Sequence, residues 1–320
     1  MDYLKPKNLA FFFIIGILVF FGIIIIGDYR KIAGEMGRVT IWMVITVVSL
    51  VLMNNCIRFM RWTYFLKISQ INIPFTHSFL IYFSGLMMVI TPAKVGEVMK
   101  SQLLKMSDDI PRRNSLMIVV AERFTDIIGL SILALFGAIS FFNQIYYILP
   151  VIMLIAIAII VLTNERCFMV LVNLGERIPV VKNYTHYAKD LHSSSTILFS
   201  PVPLFISVIL SVLSWSFECL ALYFLIGQFG YDIGFLQSMF IFAFSSIFGS
   251  LLVLPGGLGA AEGSFIVLLS LMKIPLPVAS IITILFRLCS LFFGVIIGLI
   301  SFFILDRTVL KKRGQTILDD

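Results

Sequence analysis

The stretch LPGGLGAAEG, Leu254 to Gly263, decides how this chain folds, because it interrupts one of its most apolar regions. It follows the run FLQSMFIFAFSSIFGSLLV and precedes SFIVLLSLM. A proline and four glycines disfavour a continuous helix, and unwound backbone persists at membrane depth only where protein or a watery cavity covers its polar groups. The stretch therefore predicts a broken helix that enters the membrane and turns back inside it.

The composition is that of an integral membrane protein. The chain has 320 residues, of which 60% are hydrophobic and only 13% are charged. Apolar runs of about 18 residues or more recur along it, each long enough to cross a bilayer core of roughly 30 Å. The formal charge of +7 is concentrated beside these runs, where topology explains it better than nucleic-acid binding does. The sequence predicts a multi-pass protein of the cell membrane with no nucleic-acid partner.

Six full spans and two broken segments are predicted. The broken segments, Pro74–Lys105 and Phe235–Lys273, each hold two halves too short to cross the membrane alone. The predicted fold is thus an all-α polytopic membrane protein with six full spans and two re-entrant helical hairpins. It forms one domain over residues 1–320, with residues 164–200 as a cytoplasmic connector. The predicted spans are about 9–27, 40–60, 115–142, 145–163, 202–228 and 276–305.

The distribution of Lys and Arg sets the predicted orientation. Basic residues after the second span and in the tail place both termini in the cytoplasm, although the basic loop around Arg30 and Arg38 then lies outside. In this arrangement the two hairpins enter the membrane from opposite faces.

The spacing of the breaks supports an internal repeat. Pro92 precedes Arg123 by 31 residues, and Pro255 precedes Arg287 by 32. The sequence therefore predicts two inverted halves, about 40–163 and 202–306. Inverted repeats with broken helices are typical of transporters, whose site lies at the repeat interface.

Each predicted break carries residues suited to unwinding a helix and to lining a polar site. The acids Glu97 and Glu262 are interpreted as lining residues. The helix that restarts after Gly259 has free N–H groups and a positive dipole end, which suit a phosphate or carboxylate. The alternative is that Glu262 only caps its own helix and the glycines only form a tight turn. The breaking residues are Thr91, Pro92 and Gly96 in the first hairpin, and Pro255, Gly256, Gly257 and Gly259 in the second.

Two motifs place further charges inside predicted spans. In RFMRW, Arg58 and Arg61 share one helix face and suit bidentate phosphate binding, although positive-inside sorting explains them equally. In AERFTD, Glu122 and Asp126 share a face with Arg123 nearby. Charges inside a span face the bundle interior and pair, so these residues are predicted either to line a cavity or to form a structural ion pair.

One acid lies deep in the fifth span, and no metal site is predicted. Glu218 in WSFE needs a partner, and Arg287 is the predicted one. The cysteines and histidines match no metal-binding spacing, so neither a metal nor a cofactor is expected; they are Cys56, Cys167, Cys219, Cys289, His77, His186 and His192.

The combination of motifs resembles the lysylphosphatidylglycerol synthase transmembrane-region family, the flippase-like domain of the multiple peptide resistance factor. RFMRW, TPAKVGEVMKSQLL, ERFTDIIGL and LPGGLGAAEGSFIVLL carry the resemblance, in this order, from about Thr40 to Asp306. It implies a membrane domain that moves a lipid with a charged head between leaflets. Bifunctional members continue into a soluble synthase domain, whereas this chain stops at Asp320. Aminoacyl-lipid synthesis is therefore not expected, and the lipid stays open between lysyl-phosphatidylglycerol-like and polyprenyl-phosphate-linked substrates.

Three functions are weighed, and lipid translocation leads. No nucleotide-binding G-x-x-x-x-G-K-[ST] motif is present, so movement would be downhill or coupled to ions, with Glu97, Glu218 and Glu262 available for protons. A membrane enzyme would need a nucleophile, metal cluster or base, and Asp108 beside Asp109 lies in a predicted solvated turn. The third function is a scaffold for a separate glycosyltransferase or lipid synthase. A homo-oligomer is compatible with all three.

For the leading function, we expect the two hairpin tips to meet near the bilayer midplane. Glu97, Glu262, Arg123 and Arg287 would then line one polar cavity that opens sideways to lipid.

Overall fold

Ten helices and no strands are formed by the residues that the structure, a computed structural model, describes: 16–25, 27–90, 98–142, 197–251 and 255–314. A 3₁₀ turn, Met87–Ile90, extends α4. The helices are α1 Gly16–Ile25, α2 Tyr29–Met36, α3 Ile41–Ile68, α4 Phe75–Leu86, α5 Met99–Asp108, α6 Arg112–Phe142, α7 Pro201–Gln228, α8 Phe235–Leu251, α9 Ala260–Leu271 and α10 Leu276–Arg313.

Three of these helices are long and apolar enough to cross a membrane. They are α3 and α7, with 28 residues each, and α10, with 38. At 1.5 Å per residue, 28 residues cover about 42 Å, more than a bilayer core needs. The all-helical membrane class is therefore confirmed. The six-span count and the re-entrant course of the broken segments stay predictions, and residues 145–163 and most of the 164–200 connector lie outside the described ranges.

Local sequence explains where the long helices begin and where α10 changes pitch. Thr40 caps α3 by accepting the N–H of Met43, and prolines stand in the first turns of α7 and α10, where the missing N–H costs nothing. Leu288–Phe292 forms one π turn directly after Arg287. Such turns are frequent at functional sites, and this one widens α10 beside the cavity described below.

The long helix of each half packs against the first of the two shorter helices in the other half. α6 packs on α8, and the C-terminal part of α10 packs on α4 and its 3₁₀ turn. Both crossings are close because a glycine lies at the contact: Gly137 touches the backbone of Phe240, and Gly298 touches that of Met87. Small residues of this kind let membrane helices approach each other. α3 and α7 also pack against one another.

The predicted order of elements recurs in the two halves. Each half has a 28-residue helix (α3 or α7), two shorter helices (α4 and α5, or α8 and α9) and a long helix (α6 or α10). The turn after the first helix reads Ile-Pro-Phe in one half, at Ile73–Phe75, and Ile-Gly-Phe in the other, at Ile233–Phe235. The opposite orientation of the halves in a membrane stays a prediction.

Candidate functional site

The second break is a short turn between two packed helices. Pro255–Gly257 forms one 3₁₀ turn, and α8 and α9 pack against each other on either side of it. Gly256, Gly257 and Gly259 have φ angles of 61°, 68° and 87°, in the left-handed region that glycine adopts without a Cβ penalty. A Cβ on Gly257 would lie 3.2 Å from the backbone of Gly249. The glycines therefore serve both the turn and the close approach of α8.

Glu262 and Arg287 hold this turn together. Glu262 is fully buried; its Oε2 accepts the N–H of Gly259 at 2.6 Å, and its Oε1 accepts Nε of Arg287 at 2.5 Å. Nη2 of Arg287 donates to the carbonyl of Gly256 at 2.8 Å. Glu262 thus caps α9 and also fixes a guanidinium from α10.

The predicted pair between Glu218 and Arg287 is not formed. Oε1 of Glu218 instead accepts a hydrogen bond from Nδ2 of Asn54 at 3.0 Å, which joins α7 to α3. The reason is geometric: the turn after α8 brings Glu262 directly to Arg287, and sequence spacing alone does not reveal that proximity.

Asp126 is the centre of a second charged cluster. α3, α6 and α7 converge here, and Asp126 is only 3% exposed. Arg58 and Arg61 lie one turn apart on α3, while Arg123 precedes Asp126 by one turn on α6. The contacts of the carboxylate are with Nη2 of Arg58 (3.1 Å), Nη2 of Arg61 (2.7 Å), Nη2 of Arg123 (3.1 Å), Oγ of Ser211 (3.2 Å) and Nε1 of Trp215 (3.1 Å).

Glu122 belongs to a separate buried pair. Nζ of Lys100 lies 2.6 Å from Oε2 of Glu122, and it also lies over the rings of Trp62 (4.9 Å) and Tyr82 (5.2 Å). Sequence reasoning missed Lys100 as a site residue, although it lies within the quoted TPAKVGEVMKSQLL motif. Glu122 and Asp126 share a helix face yet bind different partners.

A cavity of about 110 Å³ lies where these clusters meet. Among the described residues, the charged ones in its wall are Arg58, Arg123, Glu218 and Arg287. Gly256 and Gly257 also line it, as do the aromatic side chains of Trp215, Phe242, Phe265 and Phe286. Four predicted site residues do not line the wall: Asp126 and Glu262 bind its arginines, Arg61 binds Asp126, and Glu122 pairs with Lys100.

Equivalent positions of the two halves form the cavity wall. Asn55 and Arg58 are the 15th and 18th residues of α3, and Trp215 and Glu218 are the 15th and 18th of α7. The same correspondence holds between α4 with its 3₁₀ turn and α8, and between α6 and α10. Those further wall pairs are Leu86 with Ser246, Val89 with Gly249, and Arg123 with Arg287.

The turn that precedes the first break contacts the second break. The turn Met87–Ile90, which leads into the first break, touches Pro255–Gly257. Thr91, Pro92, Gly96 and Glu97 lie outside the described residues, so the meeting of the two tips and the lining role of Glu97 stay predictions.

Comparison with known proteins identifies the family. Residues 13–298 match the family described as the lysylphosphatidylglycerol synthase TM region. The chain belongs to this family. The resemblance expected from the four motifs is therefore confirmed.

Three archaeal members of similar sequence are known as UPF0104 membrane proteins. MJ1595 of Methanocaldococcus jannaschii is 25% identical, over 96% of this chain and 96% of its own length. MJ1078 of the same organism is 29% identical, over 70% of this chain and 95% of its own. A protein of Methanothermobacter thermautotrophicus is 27% identical, over 91% of each chain. Together with the family match, these relatives support a membrane protein with a lipid-related role.

Proposed function

We propose that the protein moves a lipid between membrane leaflets by taking its charged or phosphate-bearing head into the cavity. One observation carries the proposal: equivalent positions of both halves wall the cavity, and three of the four charged wall residues that the structure describes are arginines. A site shared by two structural repeats is typical of transporters. Membership of the family supports the choice of a lipid as the substrate.

The charged wall lowers the cost of bringing a polar head into the membrane. Buried charges are expensive in hydrocarbon, and here carboxylates fix the arginines in place: Asp126 binds Arg58 and Arg123, and Glu262 binds Arg287. A head group then exchanges water for guanidinium N–H donors, while its acyl chains stay in the bilayer. Movement by this route is downhill or coupled to ions.

The proposed course of the chain places the two broken segments on opposite faces of the cell membrane, with both termini in the cytoplasm. The contact between Met87–Ile90 and Pro255–Gly257 supports a meeting of the two segments at one depth. The long helix of each half packs on a helix of the other half, α6 on α8 and α10 on α4, which supports a two-fold relation between the halves.

A transport role is proposed in preference to an enzymatic one. The adjacent acids considered for catalysis both have structural contacts: Asp108 Oδ1 lies 2.9 Å from Nδ1 of His77, and Asp109 Oδ2 lies 3.1 Å from Nη1 of Arg313. Asp108 therefore ties α5 to α4, and Asp109 ties the end of α5 to the end of α10. These contacts favour a structural use of both acids.

Purified protein in liposomes tests the proposal. A fluorescent lipid is placed in both leaflets, and a membrane-impermeant reductant added outside bleaches only the outer-leaflet probe. Liposomes with the protein should lose the inner-leaflet signal as well, whereas protein-free liposomes should keep it. Chromatography of the same lipids scores chemical conversion. A persistent inner-leaflet signal, or a new lipid product, would contradict the proposal.

A further inference from the structure

The three arginines of the cavity wall come from both halves of the molecule. Arg58 on α3 and Arg123 on α6 belong to the first half, and Arg287 on α10 belongs to the second. Resting on the proposed function, we infer that these three side chains form a binding site for the phosphate group of the transported lipid. The phosphate is held between the halves and not by either half alone.

Arg287 is fixed by the protein and still offers a donor to a ligand. Its Nε and Nη2 bind Glu262 and the carbonyl of Gly256. Its third nitrogen, Nη1, makes no hydrogen bond with any residue that the structure describes, and the side chain is 12% exposed. Because a guanidinium carries five N–H donors, the two protein contacts leave donors for an anion.

Arg58 and Arg123 lie side by side because they share one oxygen atom. Nη2 of each lies 3.1 Å from Oδ2 of Asp126, so these two nitrogens are no more than 6.2 Å apart. Arg61, which is fully buried, binds the other oxygen of Asp126 and is a positioning residue. Adjacent guanidiniums present the paired N–H donors that phosphate oxygens accept.

The charges of the described wall favour an anion. Glu218 is the one acidic wall residue among those described, and its Oε1 already accepts a hydrogen bond from Asn54. Three guanidiniums and one carboxylate line the described wall, while Asp126 and Glu262 behind it offset part of the positive charge. A phosphate has several acceptor oxygens and takes donors from three directions at once. The aromatic wall keeps the local dielectric low, which strengthens these contacts.

Binding to detergent-purified protein tests the site directly. The probe is dioctanoyl phosphatidic acid; dioctanoylglycerol has the same chains without phosphate, and a dioctanoyl lipid with a trimethylammonium head has the opposite charge. We expect the two phosphate-free lipids to bind about tenfold more weakly or worse. Equal binding of dioctanoylglycerol would overturn the inference. Binding of inorganic phosphate without binding of phosphatidic acid would overturn the assignment to a lipid.

Variants locate the phosphate on the proposed residues. Arg287→Gln should weaken phosphatidic acid binding about tenfold and leave dioctanoylglycerol binding unchanged, while Arg287→Lys should retain part of the affinity. Arg38→Gln is the control, because Arg38 is half-exposed, binds Glu35 and the carbonyl of Phe229, and does not line the cavity. Unchanged phosphatidic acid affinity in Arg287→Gln would contradict the site. If that variant does not fold, the ligand series on the unmodified protein decides.

The leaflet-exchange assay on the same preparation separates this inference from the proposed function. Exchange of lipids with no preference for phosphate in binding would refute the phosphate site and keep translocation. Phosphate-selective binding with no exchange would keep the site and refute translocation.

Discussion

Glu262 uses its two carboxylate oxygens for two contacts at the second break, one to the backbone of Gly259 and one to Arg287. The side chain is fully buried, so neither contact has a water substitute at the surface. The sequence left capping and cavity roles as alternatives for this residue. In the structure one carboxylate caps α9 and positions an arginine of the cavity wall.

Glu262→Gln should lower both stability and lipid exchange. The amide keeps one acceptor oxygen, but its NH₂ group faces a donor, so Arg287 loses its carboxylate partner. We expect this loss to cost about 3 kcal/mol of unfolding free energy. Thermal unfolding and leaflet exchange measure the two effects. Glu35→Gln, at an exposed pair with Arg38, should change stability by no more than about 1 kcal/mol. Unchanged exchange with reduced stability would make Glu262 a helix cap only.

The Lys100–Glu122 pair should behave as one buried unit. Lys100→Met removes the charge and keeps the stem, leaving Glu122 buried without this cation, so we expect a loss of about 3 kcal/mol. Adding Glu122→Gln should restore part of that loss in a double-mutant cycle of chemical or thermal unfolding. Lys31→Met is the matched control, because Lys31 is 70% exposed. Additive losses from the two single variants would contradict the pairing.

At the scale of elements, the sequence identified the broken helix but not all of the contacts around it. Proline and glycine dictate backbone conformation locally, so the break at Pro255 was readable from a short stretch. Arg123 and Arg287 were readable as charges inside spans, in need of polar partners, because each lies in an apolar run. The three-arginine cluster on Asp126 and the partner of Lys100 depend on how α3, α5, α6 and α7 pack, which no single segment encodes.

Gly257→Ala should destabilise the break between α8 and α9. The residue has φ +68°, and its Cβ would lie 3.2 Å from the backbone of Gly249, so strain and crowding act together and cost about 1–3 kcal/mol. Gly263→Ala is the matched control: it lies in α9 and a Cβ there meets nothing within 4 Å, so the helix should be unchanged or slightly more stable. Equal melting temperatures for the two variants would show that the turn tolerates a side chain.

At the scale of the whole molecule, two halves with the same order of helices build one cavity. Their long helices pack on the broken pairs of the opposite halves, and corresponding residues face the same space. The sequence predicted the repeat from two Pro-to-Arg spacings, whereas the correspondence of wall positions required the packed helices.

The inverted arrangement predicts opposite labelling of two equivalent turns. Asn72 and Asp232 are exposed and each stands three residues before the first residue of α4 or α8. In a background without the native cysteines, Asn72→Cys should react with an impermeant thiol reagent from the cytoplasmic side, and Asp232→Cys from the outside. Reaction of both from one side would refute the inverted arrangement.

The central claim is that lipid heads cross through the cavity, and a cavity-blocking variant tests it most directly. Ser250 lines the cavity and bonds to the carbonyl four residues earlier; Ser49 makes the same bond on the exposed outer face of α3. Leaflet exchange is measured for Ser250→Trp and Ser49→Trp in matched liposomes, with thermal unfolding as a check on folding. We predict that Ser250→Trp slows lipid exchange about tenfold or more, because the indole fills the space that a head group needs. Ser49→Trp should exchange lipid at the rate of the unmodified protein. Exchange by a folded Ser250→Trp at the unmodified rate would contradict it.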